Sequence, residues 1–313
     1  MSKVSIVIPV YGVEKYIERC ARSLFEQTLD DIEYLFIDDC SPDNSIAILK
    51  RVLKDYPMRE LQVIIHRMKH NSGQAAVRKW GITNAKGNYI IHCDSDDWME
   101  LNMCETLYVK AANEGADMIF CDYYINSPKE EKIFERSSVD YSKKEDVFRY
   151  ALVRDWLCPV WGVLVKKEIY NRVEFPTGDQ SEDKTYVIQL IYYSKTISRC
   201  SKALYHYRIN PHSISHTKEL ETIIKRYFDI EKNRNIIKRF SERNGLINQY
   251  PLEYQAYFFL AKFILNHYLS NKDCRKLWES SYPSSNRNVW LNPYVKTTDK
   301  VKFAILKIWM LLK

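Results

Sequence analysis

Three carboxylates crowd into four positions: Asp94, Asp96 and Asp97 directly follow the apolar run at 90–93. Like charges this close repel, and burying even one unpaired carboxylate is costly. A divalent cation relieves both problems. Mg2+ or Mn2+ takes oxygen ligands, commonly one or two carboxylates plus substrate phosphates. The plainer alternative is capping, because an Asp-Asp pair ahead of a helix makes a good acidic first turn. Two further acidic pairs stand at comparable places, Asp38-Asp39 after one apolar run and Glu182-Asp183 before another. A small-residue turn at 70–73 feeds a helical segment that carries Arg78. Such a turn can accept an anion, with Arg78 pairing to a phosphate, or Arg78 can be a surface residue beside Lys79. No Walker lysine loop and no Gly-x-Gly-x-x-Gly follows a strand, which removes the main support for ATPase and dinucleotide readings.

These residues need a frame. β-rich apolar runs at 4–10, 34–37, 61–65, 89–93 and 118–121 alternate with helical spacing at 17–28, 46–56 and 103–111. Strand–helix alternation predicts an α/β fold, a mostly parallel twisted sheet with helices on both faces. Ligands bind such sheets beyond the carboxyl ends of the strands, where both Asp38-Asp39 and the 94–97 cluster fall. The stretch 41–45 reads as a turn delivering an Asp cap to the second helix. Residues 126–138 read as an exposed loop, 145–216 as mixed helix and short strand, and 217–270 as basic helix ending in a strongly apolar buried one. A turn-rich break at 282–294 precedes a last apolar run. The expected organisation is therefore 1–125, 126–216 and a helical 217–313.

The chain has 313 residues, 46% hydrophobic and 28% charged, the profile of a soluble globular protein. Its net charge of +7 is uneven: residues 217–313 carry 18 Lys+Arg against 9 Asp+Glu. Nothing there resembles a nucleic-acid-binding motif, so the expected partner is an anionic membrane surface or none. On a helical wheel Lys300 and Lys307 share one side of the last run while Lys302 and Lys313 fall nearly opposite, a weak amphipath that still suits interfacial anchoring. Eight cysteines without metal spacing imply reduced thiols and a cytoplasmic protein, possible on the inner face of a membrane as a peripheral one. The apolar run at 4–13 reads as a first strand rather than a signal peptide, and no run reaches the roughly 20 residues that span a bilayer. His92 reads as a packed histidine, and Trp98 and Trp161 as core before sugar-stacking residues.

The stretches at 4–29, 36–45, 71–97 and 181–190 together resemble the family-2 glycosyltransferases of GT-A fold, densely over 3–125 and more loosely over 126–216. The resemblance implies an inverting enzyme that uses a nucleotide-sugar donor, expected to be UDP-linked, with Mn2+ or Mg2+, and a glycan or lipid-linked acceptor in cell-surface polysaccharide synthesis. Carried over by position, Pro9 and Tyr11 line the base and Asp39 reads it. Asn71 and Arg78 give further nucleotide contacts. Asp94-Ser95-Asp96 matches the Asp-x-Asp motif, its first Asp on the ribose side and Asp96 on the metal. Asp183 matches the catalytic base, and Arg208 and Ser213 an element that closes over the diphosphate. Gly12 stands where the family has Asn, and Lys79-Trp80-Gly81 departs from Asn-x-Gly after the arginine, which puts local contacts of that helix in doubt. Two rivals remain. A sugar nucleotidyltransferase would carry a Gly-rich basic loop after the first strand, which residues 11–18 are not. A noncatalytic glycan- or membrane-surface-binding protein would not need Asp39, Asp96 and Asp183 together.

Overall fold

A computed structural model describes residues 2–154, 157–209 and 219–312. Nine strands form one sheet: β1 Val4–Val10, β2 Ile32–Asp38, β3 Val63–Arg67, β4 Tyr89–His92, β5 Trp98–Met99, β6 Met118–Asn126, β7 Glu131–Phe134, β8 Val163–Lys166 and β9 Ile197–Arg208. The order is β3-β2-β1-β4-β8-β6-β9-β5, with β7 paired to β6. Among β1 to β4 every pairing is parallel. Beyond them β8 and β5 run antiparallel to their neighbours while β6 and β9 are parallel. The sheet is thus parallel in its first half and mixed in its second.

Helices cover both faces. The first set is α1 Ile17–Phe25, α2 Ser45–Leu53, α3 Gln74–Asn84 and α4 Met103–Glu114. Then come α5 Lys144–Val153, α6 Lys167–Tyr170, α7 Glu182–Tyr193 and α8 Leu220–Arg243. The last are α9 Leu246–Gln249, α10 Pro251–Phe259, α11 Lys272–Ser280 and α12 Thr297–Leu311. Period-two alternation sends Ile6, Ile8, Tyr34 and Phe36 to the face under α1, α2 and α4. Val7, Leu35 and Ile37 face the other way, under α3, α5 and α7. A strand buried on both sides is apolar along most of its length, and the one polar residue of β1, the buried Ser5, donates to Glu33 Oε2 at 2.6 Å.

Two sequence expectations change. The segment at 126–138 is not a loop: β7 pairs with β6 from Tyr123–Phe134 to Asn126–Glu131, and Arg136 behind it is fully buried. β7 is exposed along nearly its whole length, so its residues read like those of a loop. The apolar helix near 254–269 leaves α geometry after Phe259 and continues as a 3-10 helix over Leu260–Tyr268. Among the described residues the eight cysteines form no disulfide. Among the described residues no helix is long and apolar enough to cross a membrane.

Candidate active site

The register brings the ends of β1, β2 and β4 to one edge: Val10 lies opposite Asp38, and His92 opposite Val7. There Asp38 accepts from Ser41 N at 2.7 Å and from Arg67 Nη1 at 3.0 Å. Asp39 is buried and takes two backbone donors, Ser72 N at 2.7 Å and Gly73 N at 2.9 Å. The carboxylate therefore clamps the turn that starts α3. Gly73 has φ +84°, and a Cβ there would lie 2.2 Å from Asp179, so only glycine fits. Asp179 itself accepts from Ala75 N at 3.1 Å, placing a protein carboxylate at the α3 N-terminus. Pro9 is partly buried, while Tyr11 and Asn71 are exposed on the same rim.

The cluster after β4 divides by orientation. Asp97 is buried, accepting from Tyr205 Oη at 2.7 Å and from Arg208 N at 2.7 Å, so both its oxygens tie the loop to β9. Burial, then the charges of Asp96 and Asp94, push its carboxyl well above the usual range. Tyr205 Oη also accepts from the Asp94 backbone N at 3.1 Å. Ser95 is buried, and Asp94 and Asp96 are partly exposed. Arg208 donates through Nε to the Asp96 carbonyl at 3.2 Å and stacks over Tyr16 and Trp98. Among the described residues no three His, Cys, Asp or Glu side chains converge as a metal group. A partly exposed Asp96 on a fixed loop fits the chemistry of a Mg2+ or Mn2+ ion that draws its remaining ligands from phosphates and water.

A single guanidinium joins the acidic segments. Arg78, fully buried on α3, donates from Nη1 to Glu182 Oε1 and Asp183 Oδ1, both at 2.5 Å, and from Nη2 to Asp94 Oδ1 at 2.6 Å. Ser181, at φ +62°, bends the chain so that both acids open α7; Cys40, at φ +61°, plays the same part after Asp39. Left-handed non-glycine residues cost about 1–3 kcal/mol and persist where their surroundings hold them. Burial, and then Asp183, raise the Glu182 carboxyl well above the usual range. Asp183 is raised too, first by burial, against the opposing pull of Arg78. Removing one partner from such a buried set costs about 3–5 kcal/mol.

The rings beside the site are packed. Trp98 has Arg19 3.3 Å from its ring centroid and His206 stacked at 4.7 Å. Trp161 stacks on Tyr205 at 4.7 Å and on Tyr207 at 5.3 Å. His92 is buried against Tyr170 Oη at 3.2 Å, and burial lowers its pKa well below the usual value. Ser213, with His212 and His216, lies outside the described residues. Asp179 and Tyr205 were not anticipated from sequence. Asp179 sits among loop residues with no pattern, whereas Tyr205 is two positions before Tyr207 on one strand face.

Residues 5–173 match the sequence model of the family described as Glycosyl transferase family 2. Glycosyltransferase GlyA of Streptococcus pneumoniae is 31% identical over 68% of this chain, a match that spans 31% of GlyA. The poly(ribitol-phosphate) beta-N-acetylglucosaminyltransferase TarP of Staphylococcus aureus is 26% identical over 96% of this chain and 90% of its own length. The crystal structure of S. aureus TarS 1–349 in complex with UDP-GlcNAc shares the fold, with a TM-score of 0.59 and 17% identity over 90% of this chain and 92% of that one.

Proposed function

Since the chain belongs to glycosyltransferase family 2, we propose that it is an inverting transferase that moves a sugar from a UDP-linked donor to a glycan or lipid-linked acceptor in the assembly of a surface polysaccharide. The single observation that carries this reading is the meeting of the Asp94–Asp97 loop with Glu182-Asp183 across Arg78. On this reading the Asp94–Asp97 loop serves the donor and Asp183 the acceptor, and one side chain links the two. The names of TarP and of the TarS complex support a UDP-sugar and a polymeric acceptor.

In the proposed reaction Pro9, Tyr11, Asp39 and Asn71 shape the nucleoside end, and Asp94, Ser95 and Arg208 the ribose and diphosphate end. Asp39 acts there through the turn that it clamps. Ser213, which the resemblance assigns to the diphosphate, lies outside the described residues. Asp96 would hold Mg2+ or Mn2+, and the bound ion supplies positive charge where the departing diphosphate becomes more negative. Asp183 keeps 27% of its side chain exposed. It takes the acceptor hydroxyl proton as that oxygen attacks the anomeric carbon from the side opposite the leaving group, which inverts the configuration. Asp97 holds the loop rather than the ion. The basic C-terminal region, with its exposed apolar residues on α12, rests against an anionic membrane surface on the cytoplasmic side.

The test is thermal stabilisation by UDP, GDP, dTDP and CDP, each with and without Mn2+. A ligand that binds only the folded state raises Tm by mass action. UDP should give a metal-dependent shift that Asp96→Ala abolishes. No metal-dependent shift with any nucleotide would sink the reading.

A further inference from the structure

Arg78 comes from the middle of α3, 16 residues before Asp94 and 104 and 105 before Glu182 and Asp183. It therefore joins the end of β4 to the first turn of α7, two elements with no covalent proximity. Its side chain is 1% exposed. The two N–H bonds of Nη1 go one to each acid of α7, and Nη2 reaches Asp94. The remaining nitrogen, Nε, is buried and has no hydrogen-bond partner. At 1% exposure the guanidinium offers almost no surface to solvent.

We propose that Arg78 is a positioning residue: it fixes the Asp183 carboxylate against the donor-side Asp94 loop and makes no contact with the nucleotide. The family resemblance implies the reverse, a nucleotide contact at this position. The inference rests on the reading of Asp183 as the base. Consecutive residues at a helix start point about 100° apart, so neither acid alone determines where the other goes. A planar, forked cation that bonds both from one nitrogen does determine it. The same plane carries the bond to Asp94, so the group that receives the acceptor proton and the loop that holds the diphosphate are set in one rigid unit. A lysine has one ammonium and no fixed plane, and cannot reproduce three in-plane bonds to separated carboxylates.

The experiment compares Arg78→Lys with the unaltered protein in transfer kinetics and in UDP affinity by titration calorimetry with Mn2+. The expected result is a kcat lower by about 100-fold, the scale of a roughly 1 Å misplacement, with the Kd for UDP unchanged. In an Asp183→Asn background the same change should cost almost nothing more, since residues that act as a unit are not additive. A purely structural role would give additive losses. If Arg78→Lys fails to fold, Glu182→Ala removes one anchor with Arg78 in place and should show the same split. A raised Kd for UDP at preserved kcat overturns the inference, as does a variant equal to the unaltered protein in both. The parent reading fails differently, when the unaltered protein itself shows no UDP binding.

Discussion

At the scale of single residues, the acidic positions divide into those held inside and those left partly exposed. Asp97 spends both oxygens on Tyr205 and Arg208, and Asp39 spends both on the turn before α3. Glu182 is buried, while Asp183 beside it is partly open. Asp183→Asn should lower kcat by about 10²–10⁴-fold, the range for losing a general base. The Kd for UDP should stay as it was; a variant that transfers at the normal rate would remove Asp183 from the mechanism. The pH profile has a definite sign. Burial lifts Asp183 above the usual carboxylate range, so kcat should fall as the pH drops through that raised value and the base becomes protonated. Stability runs the opposite way for Glu182. Its folded form keeps a proton that the unfolded chain releases, so this contribution is full at low pH and is lost as pH rises through the raised pKa.

At the scale of elements, the loop before α7 is held from the C-terminal side. Asn233, fully buried on α8, accepts from Thr177 N at 3.1 Å and Gly178 N at 3.2 Å. Its Nδ2 donates to Gly178 O at 2.6 Å and Gln180 O at 2.8 Å. The loop packs so closely that a Cβ on Gly178 would lie 2.6 Å from the Asp229 carbonyl. One amide therefore fixes the stretch that carries Asp179 to α3 and delivers Ser181 to α7. Asn233→Ala should destabilise by about 3 kcal/mol, since buried backbone groups lose their partners. It should also lower kcat although it touches no substrate. A denaturant titration with parallel kinetics checks both, and an Asn233→Ala chain of normal stability and rate would show that the loop holds itself.

At the scale of the whole molecule, the C-terminal helices share their packing with the sheet. Ile237 and Phe240 of α8 and Tyr254 of α10 belong to the core under β1 and β6, while Ile223, Tyr227 and Phe259 belong to a separate helical core. The last helix closes that core with Phe303 and Met310. Its other side leaves Val301, Ile305, Ile308 and Leu312 at 44%, 59%, 59% and 82% exposure, spaced as one stripe. Lys300 is turned inward, donating to Trp290 O at 2.9 Å, and takes no part in that outer stripe. Sedimentation with phosphatidylcholine vesicles, with and without phosphatidylglycerol, tests the membrane reading. The protein should pellet with the anionic vesicles, and Ile305→Ser with Ile308→Ser should release it; a protein that stays in the supernatant throughout sinks the idea.

The sequence by itself determined the family and the alternating frame. Runs buried on both faces must be apolar, helices must show one apolar side, and acids at strand ends must have a partner; these constraints are local and visible in residue order. It also showed Asp94–Asp97 and Glu182-Asp183 as clusters. It could not show that one arginine joins them, because a contact across 104 residues leaves no periodicity. Nor could it separate Asp97 from Asp96, since neighbouring carboxylates differ only in which way β9 lets them turn. The hairpin of β6 and β7 was hidden for a related reason: exposed strand positions tolerate the same charged residues as loops. Burial and long-range hydrogen bonding are properties of the packed chain, and they alone decided which acids are enclosed and which stay partly exposed.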